Sequence, residues 1–165
     1  MTDASQEHHY TENVQEHLKQ VETLLHKHAL LEEVIHRQQL PRQDRHALVD
    51  TLVHKQHLAE LRDKLDSLHP ADIAFILEAL PIEQRLMVWD LVKSERDGEI
   101  LIEVSEAVRE SLIASMNREE LSAAAGQLDT DEIADLAPDL PLGVLRDVFK
   151  SRPIEERERL RSAMS

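Results

Sequence analysis

The chain has 165 residues, enough for one ordinary domain with an appendage, and it favours helix formers over strand formers, with aromatics at 2% and only 3 glycines. It contains no cysteine, which excludes disulfides, thiolate metal centres and cysteine nucleophiles. The formal net charge of −14 repels phosphate backbones and anionic headgroups and attracts cations and basic partners, so nucleic acid is not an expected ligand.

The opening segment, MTDASQEHHY, lacks the basic and apolar regions of a signal peptide. No apolar stretch approaches the roughly 18 to 20 residues of a membrane-spanning helix. A soluble, all-α chain is expected. Residues 12–39 place Val14, Leu18, Val21 and Leu25 at mixed spacings of three and four, which predicts an amphipathic helix ending before Pro41. A second helix is predicted to begin near Arg42 and to contain Ala47, Leu48, Leu52 and Val53. All 10 histidines lie between His8 and His69. Imidazoles at helical spacing can bind transition metals, but no full tetrahedral ligand set accompanies them, and exposed helix positions accept histidine cheaply. Residues 1–46 therefore read as a His-rich helical extension and 47–165 as the domain proper.

From Leu68 onward a helix restarts about every twelve residues: at HPAD (69), PIEQ (81), SERD (94), SEAV (105), NREE (117), DTDE (129), PLGV (141) and PIEE (153). Several restarts pair a capping side chain with an acid three positions on: Ser94 with Asp97, Asn117 with Glu120, and Asp129 with Glu132. Pro81, Pro141 and Pro153 stand where new helices begin, where a missing N–H is tolerated. Shifting LHPADIAFILEALP at 68 onto LDTDEIADLAPDLP at 128 makes Leu, Ile, Ala, Leu and Pro coincide. Helices of about ten residues are marginal alone, so each must bury an apolar side on its neighbours. The expected architecture is a right-handed superhelix of short stacked helical hairpins. Its predicted core is Ile73, Ile76, Leu77, Leu80, Leu86, Val88, Trp89, Leu101, Val104, Leu112, Leu121, Leu128, Ile133, Leu136, Leu140, Leu145, Val148 and Phe149.

The run LAELRDKLDSLHPADIAFILEALPIEQR at 58–85 resembles the start of the MgtE N-terminal domain, with its leucine-rich stretch, its L-H-P-x-D motif and a second short helix. The register continues without a gap to LDTDEIADL at 128, which is similar to that family's second acidic helix. The resemblance spans about 100 residues, from Val49 to Arg152. It implies the regulatory domain of a magnesium transporter or channel, on the cytoplasmic face of a bacterial plasma membrane. It further implies two partners in the same polypeptide, a CBS-domain pair and a five-helix pore working as a homodimer, neither of which lies within these 165 residues. In that family, carboxylates shared between the N domain and the CBS domains hold Mg²⁺ and keep the pore shut.

Carried onto this chain, the resemblance places metal-facing carboxylates at Asp131 and Asp135 of D-E-I-A-D, with Glu99 of the G-E-I segment as a third. The residues themselves agree in part, because Asp131 and Asp135 are i, i+4 neighbours whose like charges repel unless a cation bridges them. Against that, an acid such as Asp131 in a first helical turn is favoured by the helix dipole alone. Mg²⁺ keeps several waters and commonly uses one or two carboxylates, so a half-site in this chain should be weak. Asp72, three residues after His69, reads as a helix-start acid. Pro138 departs from the family pattern and is expected to end or kink the helix carrying Asp135. An alternative reading is a helical-repeat adaptor resembling the armadillo-like domain of the flagellar motor switch, which should expose an apolar groove. An enzyme is not expected: the chain has no Gly-rich phosphate loop, no nucleophile motif and no histidine beyond His69 to act as a base near the repeat acids.

Overall fold

The computed structural model describes residues 2–37, 55, 56 and 58–164, and among them every regular element is a helix. The helix predicted from Arg42, the core positions assigned to it and the 46/47 domain boundary lie outside the described residues. The chain divides into two compact units, Met1–Asp72 and Ile73–Ser165.

In the first unit, α1 runs Thr2–Arg37 and α2 comprises the helical residues 55, 56 and 58–66. Val14, Val21 and Leu25 on α1 are buried, as are Leu61, Leu65 and Leu68. Lys64 Nζ lies 3.0 Å from His17 Nδ1, which fixes one polar contact between α1 and α2. His28 is also buried, with Nε2 3.4 Å from Glu32.

In the second unit the twelve-residue restarts become four hairpins: α3 (Pro70–Ala79) with α4 (Ile82–Leu91), α5 (Asp97–Glu103) with α6 (Glu106–Ala114), α7 (Arg118–Gly126) with α8 (Thr130–Leu136), and α9 (Leu142–Ser151) with α10 (Ile154–Met164). First helices stack on first helices, α5 on α7 and α7 on α9, while second helices stack on second helices, α4 on α6 and α8 on α10. This is how a chain of short amphipathic helices covers apolar sides that no single hairpin can cover. Gly98 permits a close approach of α5 to α7, because a Cβ there would meet the Ala124 carbonyl oxygen at 2.6 Å.

The caps follow the sequence with one correction. Asn117 accepts from Glu120 N, and Asp129 with Glu132 forms a complete capping box. Ser94, however, lies within a short 3₁₀ turn (Ser94–Arg96) leading into α5 and makes no such cap with Asp97. Asp72 stands in the first turn of α3 as expected, and the His69 ring caps the same turn by accepting from Ala71 N.

Each hairpin turn also leaves carbonyls at the end of its first helix without an intrahelical donor. Arginine fills them at a repeating position. Arg85 donates to Leu77 O and Leu80 O, Arg109 to Leu101 O, Ile102 O and Val104 O, and Arg157 to Lys150 O and Arg152 O. Positively charged donors at a helix C-terminus gain from both the hydrogen bonds and the dipole.

Most of the predicted core is buried, including Ile73, Ile76, Leu77, Leu101, Leu112, Ile133 and Leu136. Leu86, Leu145 and Phe149 are only half-buried. Ile100, Val144 and Leu160, absent from the predicted set, are fully inside.

Candidate acidic cleft

Helix α8 begins at a capping box in which Asp129 Oδ1 accepts from Glu132 N at 2.9 Å and Asp129 N donates to Glu132 Oε1 at 3.1 Å. Those two carboxylates are thereby committed to the backbone. Asp131, between them, makes no such bond and is exposed. It lines a cleft of about 860 Å³ between the start of α8 and α10, together with Thr130, Glu155, Glu158 and Arg159. The donors offered there are hard carboxylate oxygens in a water-accessible setting, the ligand type that a hydrated Mg²⁺ takes. Arg159 offsets part of their charge.

The other two residues expected to face metal do not line this cleft. Asp135 is exposed one turn further along α8, which ends at Leu136 where Pro138 enters a 3₁₀ turn spanning Ala137–Asp139. The predicted interruption by proline is therefore present. Glu99 is exposed in the first turn of α5, a helix that packs against α8. Sequence reasoning passed over Glu155 and Glu158, which join Asp131 only because α10 packs on α8. One signal was available: PIEE at 153 repeats the position of DTDE at 129, which puts Glu155 in register with Asp131.

Among the described residues, a second acidic group has ligand oxygens all within 4.8 Å of one another: Glu106, Glu110 and Asp139. Arg109 Nη1 stands 3.4 Å from Asp139 Oδ2 and compensates that carboxylate. Two further acids have displaced titrations. Burial, reinforced by the charge of Glu120, raises the Asp97 carboxyl to about 7. Hydrogen bonds from Arg118 hold the Asp147 carboxyl below its ordinary value, with Nε and Nη2 at 2.7 and 2.8 Å from its oxygens.

No helix among the described residues is long and apolar enough to cross a membrane. No curated protein matches the chain significantly. Comparison with known families gives a match to the MgtE intracellular N domain over residues 68–165, a span that takes in all four hairpins and the cleft. The family is one of transporter domains rather than of enzymes. By that match the chain belongs to the MgtE family of magnesium transporters and carries its intracellular N domain.

Proposed function

We propose that this chain is the regulatory domain of a magnesium transporter and responds to intracellular Mg²⁺ through the exposed acids of α8 and α5. The observation that carries the reading is the placement of Asp131 at an open acidic cleft inside the family-matched region. Asp131, Asp135 and Glu99 are the proposed metal-facing residues, and Glu155 and Glu158 extend the set around Asp131. The remaining ligands would come from a CBS-domain pair of the same polypeptide, in a homodimeric transporter. High Mg²⁺ then bridges acidic surfaces that otherwise repel, and its loss lets them part, shifting the pore toward opening.

Half of a coordination shell binds weakly, so the isolated chain should take Mg²⁺ with a dissociation constant on the order of millimolar or poorer. The test is a Mg²⁺ titration followed by amide chemical shifts, with NaCl at matched ionic strength as the control. Shifts at α8, the facing side of α10 and the first turn of α5 are expected, those around the cleft being lost in Asp131→Asn. If Asp131→Asn with Asp135→Asn leaves the Mg²⁺ response of the folded chain unchanged, the site assignment is wrong.

A further inference from the structure

The arginines that close the hairpin turns recur at residues 85, 109 and 157, and the same register places Ile133 in the third hairpin. Ile133 is wholly buried and has nothing to donate. The carbonyls that a guanidinium there would have served are instead held from the next hairpin. Arg152 Nη2 donates to Leu128 O at 2.6 Å, to Ala125 O at 3.3 Å and to Gly126 O at 3.4 Å. Leu128 immediately precedes Asp129, the capping residue of α8. On its other side Arg152 is tied to α10: Nη1 is 3.4 Å from Glu156, and its backbone oxygen accepts from Arg157 Nε at 2.8 Å.

From this exchange we propose that Arg152 is a positioning residue, a clasp that sets the width of the acidic cleft. The cleft has one wall at the start of α8 and the other on α10, and Arg152 binds the backbone beside the first wall while anchored to the second. In the first and second hairpins the bonds that close the turn stay within the hairpin, and only Nη1 reaches the next one, from Arg85 to Ser111 Oγ and from Arg109 to Asp139. In the third the closing bonds themselves come from a neighbour, so Arg152 adds to the packing of α8 on α10 a polar tie that fixes Asp131 relative to Glu155 and Glu158. The role of those acids toward a cation rests on the function proposed above; the clasp itself does not.

The chain has no cysteine, so Thr130→Cys on α8 and Ala163→Cys on α10 give a clean pair of spin labels across the cleft. In metal-free buffer the labelled chain should show one narrow distance distribution. Arg152→Lys keeps the charge but replaces a planar fork, which places Nη2 on the carbonyls and Nη1 on Glu156, by one ammonium that cannot hold both sides at once, and should lengthen and broaden that distribution. The combined variant Arg152→Ala with Ile133→Arg returns the guanidinium to its repeat position. It should recover melting temperature relative to Arg152→Ala while the distance stays broad, because the turn is closed again but the walls are untied.

A distribution as narrow as the parent's in Arg152→Lys, or in the combined variant, would overturn the proposal, and so would a parent distribution that is already broad. Should the combined variant not fold, Arg152→Lys decides alone. Unfolding of Arg152→Lys itself would also overturn it, since Arg152 would then support the whole unit rather than the cleft. Adding Mg²⁺ should narrow the Arg152→Lys distribution. Failure of that arm alone counts against the cation reading and leaves the metal-free distances to judge the clasp.

Discussion

Replacing Asp97 with asparagine should stabilise the second unit, and by an amount that depends on pH. Asp97 is 8% exposed in the first turn of α5, and burial together with Glu120 raises its carboxyl pKa from 3.8 to about 7. A raised folded-state pKa means that the folded chain holds this proton more tightly than the unfolded chain does. Below about pH 4 both states are protonated and the residue costs nothing. Between about pH 4 and 7 the unfolded state ionises first, so stability falls as pH rises, and above about pH 7 the full penalty is present. Three pH units at about 1.36 kcal/mol each set a ceiling of about 4 kcal/mol, and water reaching the remaining exposed edge lowers this to about 2 to 4 kcal/mol. The N-terminal dipole of α5 favours the charge by only about 0.3 to 1 kcal/mol, too little to offset it. Asparagine keeps the shape and removes the charge. Urea melts of both chains across this pH range, in metal-free buffer, should show the variant more stable by that amount at pH 8, the difference vanishing toward pH 4. A difference that does not change with pH would refute the reasoning.

Gly98→Ala should cost about 1 to 3 kcal/mol, since the new Cβ meets the backbone oxygen of Ala124 and neither helix yields cheaply. Gly126→Ala, with nothing within 4 Å, should be neutral or stabilising by about 0.5 to 1 kcal/mol, and equal effects at the two sites in urea melts would contradict the packing described. Arg109→Met leaves the Leu101, Ile102 and Val104 carbonyls without their charged donor and should cost about 1.5 to 3 kcal/mol. An unchanged thermal midpoint would show that water replaces the guanidinium freely. Trp89→Ala, at a side chain 6% exposed, should cost about 3 to 5 kcal/mol, read by the same melts, with a negligible change arguing that α4 is phased wrongly.

Where a boundary depends on one residue's local chemistry, it was legible in the sequence. Asn117 and Asp129 cap as their spacing predicts, and Pro138 ends α8 as its missing N–H requires. Where the outcome depends on which neighbour a helix meets, it was not. Helix α9 has an apolar stripe two residues wide, Val144 with Leu145 and Val148 with Phe149, and packing on α7 buries the valines and leaves the other edge half-open. The acid at 97 looked like a helix-start partner for Ser94, but the close approach at Gly98 brings α7 over it and buries it instead. The cleft belongs to the same class: Asp131 is readable from the acidic helix, whereas Glu155 and Glu158 reach it only through the stacking of α8 on α10. The fourfold register also makes Ile133 visible as an exception, yet only the folded stack brings Arg152 to its turn.

The charge of the second unit follows from how its turns are closed. A stack of short helices has many C-termini, and each needs a donor for carbonyls that the next helix cannot serve. Arg85, Arg109, Arg152 and Arg157 answer that need, so their guanidinium groups are directed at the backbone rather than spread among the surface acids. Two pairs still form at their edges, Arg109 with Asp139 and Arg152 with Glu156. Glu99 and Asp131, exposed in the first turns of α5 and α8, receive less compensation, Arg159 offsetting only part of the charge at the cleft, and helix dipoles stabilise them there without neutralising them. An acidic outer face is therefore a consequence of the repeat architecture before it is a feature of any site. What a binding site adds is convergence, and convergence at Asp131 comes from the stacking of α8 on α10 beside the one turn where the closing arginine comes from the adjacent hairpin.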